Sequence, residues 1–308
     1  MPDAPAPAHP DPAGTRKLRL DIAYDGTDFH GWAKQPNTAD PHSAPLRTVQ
    51  GVIEEKLSLI CQQPISLTVA GRTDAGVHAT GQVAHCQVPA QLLETRSVAG
   101  DPGTLVRRLA RLLPADVRVT ACSFAPEGFD ARFSALHRTY HYRVSTAAWG
   151  ALPTRSRDTA SWPGPVDLEL MNQAAAAVVG LHDFAAFCRP RPGATTIRDL
   201  QEFRWEDVST AAEPHTYRAT VRADAFCWNM VRSLVGMCLA VGAGKRPLEL
   251  PTQLLNATGR SSRIPVAPAC GLTLVGVSYP PDKELAARAE NTRELRCLPC
   301  DTPPAGDS

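Results

Sequence analysis

Leu18, Leu20, Ile22 and Tyr24 alternate with Arg19, Asp21 and Ala23, the pattern of a half-buried strand that ends in the turn Asp25-Gly26. Over residues 48–62 the period changes, and Val49, Val52, Ile53, Leu57 and Ile60 fall on one helical face. Ile65, Leu67 and Val69 alternate again as a strand, with a return strand over 82–88. Asp101-Pro102 reads as a cap and a first-turn proline, opening a helix with Leu105, Val106, Leu109, Leu112 and Leu113 inside and Arg107, Arg108 and Arg111 outside. Residues 117–124 alternate as a further strand. This order of strand, helix, strand, strand, helix, strand is the outline of a split β-α-β sandwich. The second half repeats the plan more loosely: a strand over 138–144, a helix capped by Asp167 and running to 179, strands over 200–205 and 217–223, a helix over 226–241 and a strand over 272–277. The expected fold is α+β, with two split β-α-β (RRM-like or ferredoxin-like) domains whose antiparallel sheets are flanked by helices. Residues 1–15, rich in Pro and Ala, read as a disordered tail. The domains are expected over 16–128 and 129–281, with a polar tail over 282–308 that is partly helical around 283–293.

Composition narrows the class without naming it. A chain of 308 residues, 43% hydrophobic and 20% charged, can build proper cores. No apolar run approaches the span of a bilayer, and the first residues lack the basic-then-apolar order of a signal peptide, so a cytoplasmic protein without membrane contact is expected. A net charge of +1 gives no general attraction to nucleic acid, and any such binding has to come from local patches. Nine cysteines with no paired spacing read as reduced core thiols. Cys297 and Cys300 form a lone CxxC without a second pair of ligands, and no zinc or other metal site is expected.

The most informative stretch is A70-G-R-T-D-A-G-V-H-A79, which begins at a strand end. Gly71 and Gly76 bracket a single carboxylate, Asp74. If the chain is still extended at Arg72, that guanidinium and Asp74 share a face, and a neighbouring cation keeps a carboxylate ionised. For an arbitrary Asp between glycines, the commoner role is to hydrogen-bond the turn. A phosphate loop is excluded, because Val77 and His78 stand where Lys and Ser/Thr are required. A metal-dependent hydrolase using Asp74 and His78 lacks further ligands. The whole string GRTDAGVHA resembles the nucleophile loop of the TruA family of tRNA pseudouridine synthases.

Three other segments carry the same resemblance. F129-D-A-R-F-S-A, followed by R138-T-Y-H-Y-R-V144, is similar to the family's FHARFSA…RRYRY region. Here Tyr140 and Tyr142 share one strand face, and His141 and Arg143 the other. Read from the residues alone, the two rings suit either a stacked RNA base or an ordinary core. In the helix F226-C-W-N-M-V-R-S-L-V-G236, Arg232 falls outside the apolar stripe of Met230, Val231, Leu234, Val235 and Cys238. It sits in the family's M-V-R setting, whereas Trp228 and Asn229 replace two histidines common in bacterial relatives. H182-D-F-A-A-F187, followed by Arg189, Arg191 and Arg198, resembles the family's D-F-x-x-F segment and its basic loop.

The resemblance, covering about residues 18–280, implies isomerisation of uridine to pseudouridine at positions 38, 39 and 40 of the tRNA anticodon stem-loop. It implies a homodimer, a catalytic cleft between the two domains, and no cofactor. Asp74 would be the nucleophile, Arg232 its paired cation, Tyr140 the ring against the target base, and Arg72 the wedge that fills the space of the flipped uridine. Phe129, Asp130, Ala131, Arg132, Phe133, Arg189 and Arg191 would contact tRNA. The competing expectation is an RNA-binding module of the same fold without catalysis.

Overall fold

The computed structural model describes residues 14–36, 45–96, 98–191, 193 and 195–293. The N-terminal tail up to residue 13, His42 with most of its loop, and the Cys297/Cys300 pair lie outside the described residues. The described residues divide into two compact units, one running up to residue 136 together with 277–293 and one built around residues 137–276.

The first unit contains β1 (Thr15–Tyr24), α1 (Val49–Cys61), β2 (Thr68–Val69), β3 (His78–Pro89), α2 (Ala90–Glu94), α3 (Thr104–Leu112) and β4 (Val117–Phe124). β1 is central, antiparallel to β3 on one side and β4 on the other, and β2 pairs antiparallel with β3. Leu18, Leu20 and Ile22 of β1 are fully buried, as are Val49 and Ile53 of α1. The expected helix is therefore found, with Thr48 as its cap accepting from the Gly51 amide at 3.3 Å and Gln62 closing it in the left-handed region.

Three expectations are corrected here. Ile65 and Leu67 are buried but form no sheet ladder. Their amides donate instead to α1 side chains, Ile65 to Ser58 Oγ at 2.9 Å and Leu67 to Glu54 Oε1 at 2.7 Å, which leaves a strand of only two residues. α3 starts at Thr104, because the Asp101 carboxylate caps a turn by accepting from the Gly103 amide at 2.8 Å. Leu112 of that helix is exposed rather than inside.

The second unit contains β5 (His137–Ser145), β6 (Ala160–Ser161), α4 (Leu168–Ala176), β7 (Gly180–Asp183), β8 (Ile197–Asp207), β9 (Thr216–Ala223), α5 (Met230–Gly242), α6 (Leu250–Leu255) and β10 (Leu272–Ser278). Its strands run in the order β10-β5-β9-β8-β7. The β5–β9, β9–β8 and β8–β7 pairs are antiparallel, and β6 adds a short parallel pair to β5. Asp167 caps α4 by accepting from the Glu169 and Leu170 amides, but three-residue turns end the helix before Val179. α5 begins at Met230 rather than at Phe226, because Asn229 sits at φ +68°, where a helix cannot run. From Val277 the chain belongs to the first unit again and ends there in α7 (Leu285–Arg293). Both units are thus helices on mostly antiparallel sheets, and no described helix is long and apolar enough to cross a membrane.

The reduced-thiol reading fails at one pair. Cys188 and Cys227 form a disulfide with Cα atoms 5.7 Å apart, within the span a disulfide bridges. Their separation of 39 residues gave no spacing signal.

Candidate active site

The Asp74 loop connects β2 to β3, and its backbone is held from below by the segment that follows β1. The Trp32 amide donates to the Thr73 carbonyl at 3.0 Å, and Gly76 donates to the Phe29 carbonyl at 3.4 Å. Two glycines allow this approach: a Cβ on Gly26 would lie 2.0 Å from the Val77 carbonyl oxygen, and one on Gly31 would lie 2.8 Å from that of Thr73. Of the bracketing pair only Gly76 adopts positive φ, at +77°, while the space around Gly71 is open. Asp74 is half-buried and Arg72 is exposed. Thr73 is buried, and its hydroxyl bonds the Tyr24 phenol at 2.8 Å. Gln82, fully buried on β3, donates through Nε2 to the Gly71 carbonyl at 2.7 Å and to the Tyr24 oxygen at 3.3 Å. The carboxylate is thus carried on a fixed backbone.

His78 serves the same scaffold. Its buried Nδ1 accepts from the Gly26 amide at 3.0 Å. The same nitrogen lies 3.2 Å from the Asp25 carboxylate. Among the described residues no three His, Cys, Asp or Glu side chains come together as a metal site.

In the second unit β5 alternates as expected, with Tyr140 and Tyr142 buried and His141 and Arg143 on the partly open face. The two tyrosines differ. Tyr142 is fully buried and donates to the Pro268 carbonyl at 3.0 Å, a core role. Tyr140 meets Phe226 edge to face, with ring centres 5.2 Å apart. α5 is buried all round except at Arg232, which is partly exposed. Its guanidinium Nε donates to the Ala267 carbonyl at 2.6 Å, and its own carbonyl accepts from the Ala267 amide at 3.0 Å. A neighbouring stretch thereby anchors the only charged residue of this helix. Phe184 and Phe187 of the D-F-x-x-F segment are fully buried, whereas Arg189 and Arg191 behind them are exposed.

The segment 129–133 belongs to the first unit and splits into two kinds of position. Phe129 and Ala131 are buried with Ala70, Val83, Ala125 and Leu285. The Ala131 amide donates to His85 Nδ1 at 3.0 Å, and burial lowers the His85 pKa, which suits a neutral ring that accepts. Asp130 holds the turn through the Arg132 and Phe133 amides. Arg132 and Arg293 both approach the Phe133 ring at 5.0 Å. Arg132 is exposed here, and Asp130 and Phe133 are partly exposed.

A family model described as tRNA pseudouridine synthase matches residues 174–280. The chain is 60% identical to a tRNA pseudouridine synthase A of Corynebacterium glutamicum over 283 residues, 92% of this chain and 96% of the relative. It is 51% identical to the protein of that name from Mycobacterium leprae, over 91% of this chain and 95% of the relative. A Frankia casuarinae protein of that name is 50% identical, over 93% and 97%. The chain belongs to the tRNA pseudouridine synthase A family. Sequence reasoning reached this family from the Asp74 loop, but it missed Tyr24, Gly26, Gly31 and Gln82, which hold that loop. Asp25-Gly26 reads only as a turn, because nothing local tells that its backbone meets a loop some fifty residues on.

The buried Tyr24 phenol gives this support a pH signature. Burial pushes its pKa up to about 12, an effect that the hydrogen bonds from Thr73 and Gln82 only partly offset. The folded state holds the phenol neutral while the unfolded chain ionises near pH 10, so its contribution is complete below pH 10 and is lost as pH rises towards 12. Tyr24→Phe is expected to be less stable than the native chain by about 1 kcal/mol at pH 8. Between pH 10 and 12 the gap should close at up to about 1.4 kcal/mol per pH unit. Urea titrations of both proteins at pH 8, 10 and 11 check this, and a gap that stays constant with pH would refute it.

Proposed function

We propose that this chain isomerises uridine to pseudouridine at positions 38, 39 and 40 of the tRNA anticodon stem-loop, with Asp74 as nucleophile. The observation that carries the reading is the Asp74 loop itself: a single carboxylate on a backbone braced by Tyr24, Gln82, Trp32 and two close-packed glycines, in a chain 60% identical to a tRNA pseudouridine synthase A. In the reaction the C1′–N1 bond breaks, the uracil turns, the C1′–C5 bond forms, C5 loses its hydrogen as a proton and N1 gains one. Electrons and atoms balance without an oxidant or a second substrate. The carboxylate attacks either C1′ or uracil C6, and both routes need it ionised.

The other roles follow the resemblance. Tyr140 packs on the target base, and Arg232 is the cation that keeps the nucleophile charged. Arg72, exposed two residues before Asp74, wedges into the stack when the uridine is flipped, a step costing a few kcal/mol. Arg132 and Phe133, with the exposed Arg189 and Arg191, contact phosphate and unpaired bases. Phe129 and Ala131 are buried, so they support the Asp130 turn and offer no side chain to RNA. We also read the two units as split β-α-β domains, and the working form as a cytoplasmic homodimer.

Carbodiimide labelling followed by reverse transcription tests the reading on tRNA transcripts incubated with the protein. New stops confined to the 38–40 region are expected. Stops elsewhere would move the site, and none despite tight tRNA binding would favour a non-catalytic RNA-binding module.

A further inference from the structure

Trp228 is a large apolar residue left 45% exposed, two residues before α5 starts at Met230. It is nonetheless held firmly. The Arg189 guanidinium lies over its ring at 4.2 Å, and the Arg189 amide donates to the Trp228 carbonyl at 2.9 Å. The residues just before each, Cys188 and Cys227, are joined by the disulfide. Three independent links thus join the same two short segments. Asn229, in the left-handed region, turns the chain away from Trp228 into the helix.

The surroundings are basic. The Ser261 amide donates to the Ala186 carbonyl at 3.0 Å, which brings the stretch 259–263 alongside the Cys188 segment. Arg260 and Arg263 are exposed there, and the exposed Arg246 donates to the Arg263 carbonyl at 3.1 Å. Neither 186–191 nor 257–263 contains an acidic residue.

We propose that Trp228, clamped to Arg189, is a stacking platform for one unpaired base of the RNA substrate, with the surrounding arginines taking the adjoining phosphates. A rigid exposed indole beside arginines matches what binds single-stranded nucleic acid: the ring supplies a face for any base, and the guanidiniums follow the backbone. Holding the indole in advance removes the cost of ordering it when RNA binds. The lack of acidic residues in those two stretches disfavours a basic partner surface there, and the arginines favour an anionic one.

This inference rests on tRNA as substrate, but its test reads binding and so separates the two. Fluorescence anisotropy with a labelled anticodon stem-loop is expected to show Trp228→Ala weakening binding on the order of tenfold, with Trp228→Phe recovering most of the loss. In turnover assays the same change should fall mainly on KM. A series of stem-loops, each lacking the base at one unpaired position, should contain one on which native protein and Trp228→Ala bind equally, because the stacking partner is gone. If Trp228→Ala binds every stem-loop as the native chain does, or if Trp228→Phe is as impaired as Trp228→Ala, the platform is refuted. A Trp228→Ala protein that loses self-association in sedimentation while its binding per protomer is unchanged would make this surface a contact between copies of the chain instead. Absence of turnover by the native chain itself, with the binding pattern as expected, would count against the proposed reaction and leave the platform standing.

Discussion

Asp74→Asn is expected to lower turnover by a factor on the order of 10⁴ or more while tRNA remains bound. The amide has almost the shape of the carboxylate, so the loop does not have to move. The backbone bonds that hold it, from Trp32 to Thr73, from Gly76 to Phe29 and from Val77 to the Asp74 carbonyl, do not involve the substituted atoms. What changes is nucleophilicity: a neutral amide cannot attack C1′ or C6 at a useful rate. Single-turnover assays beside a binding titration separate the two quantities. Binding lost along with turnover would make Asp74 a structural or RNA-holding residue, and turnover retained would mean that another group is the nucleophile.

Gly26→Ala is expected to lower stability sharply. The added methyl would sit 2.0 Å from the Val77 carbonyl oxygen and 2.5 Å from its carbon, closer than the 3.0 Å that real Cβ atoms observe. Both neighbours are backbone, so the turn after β1 and the loop must separate by about 1 Å. Overpacking of this kind costs about 3 kcal/mol, which for a unit of this size lowers Tm by roughly 5–10 °C. The displaced segment carries Asp74, the proposed nucleophile, and a misplacement near 1 Å is expected to lower turnover on the order of 10²-fold. Gly71→Ala is the control: nothing lies within 4 Å of its Cβ and its φ is not positive, so stability should change by less than about 0.5 kcal/mol. Thermal melts and turnover of both variants decide the matter. Equal damage at the two glycines would contradict the bracing described for the loop.

The parts of the fold that were legible in the sequence are those whose burial repeats with a regular period. β1 and α1 have one buried face each, and their apolar residues show it. The alternation along β5 separated its tyrosines from His141 and Arg143, and the nearly complete burial of α5 made Arg232 stand out. Periodicity cannot tell where a backbone amide finds its partner. Ile65 and Leu67 alternate like strand residues, yet their amides go to Ser58 and Glu54, so the strand stops short. Nor does it register a single residue in the left-handed region: Phe226 and Trp228 read as the start of a helix that Asn229 delays. Phe129 and Ala131 lie in a segment without period, and only packing against Leu285, more than 150 residues on, shows that they are core.

The site divides in the same way. A short unusual string pointed to Asp74, whereas Tyr24, Gln82 and the two close-packed glycines became visible only when the chain was folded. They act at long range in sequence and individually look like ordinary core or turn residues. The Cys188–Cys227 link and the Arg189–Trp228 pair are of this long-range kind as well.

The central claim is that this chain makes pseudouridine and that Asp74 performs the attack. Forming the C1′–C5 bond must expel the C5 hydrogen, so the most direct measurement is tritium release from tRNA transcripts labelled at uridine C5, comparing the native chain with Asp74→Ala. The account predicts release by the native protein from transcripts with uridine at 38–40, and none above background from Asp74→Ala. Release by both proteins, or by neither while tRNA is bound tightly, would contradict it.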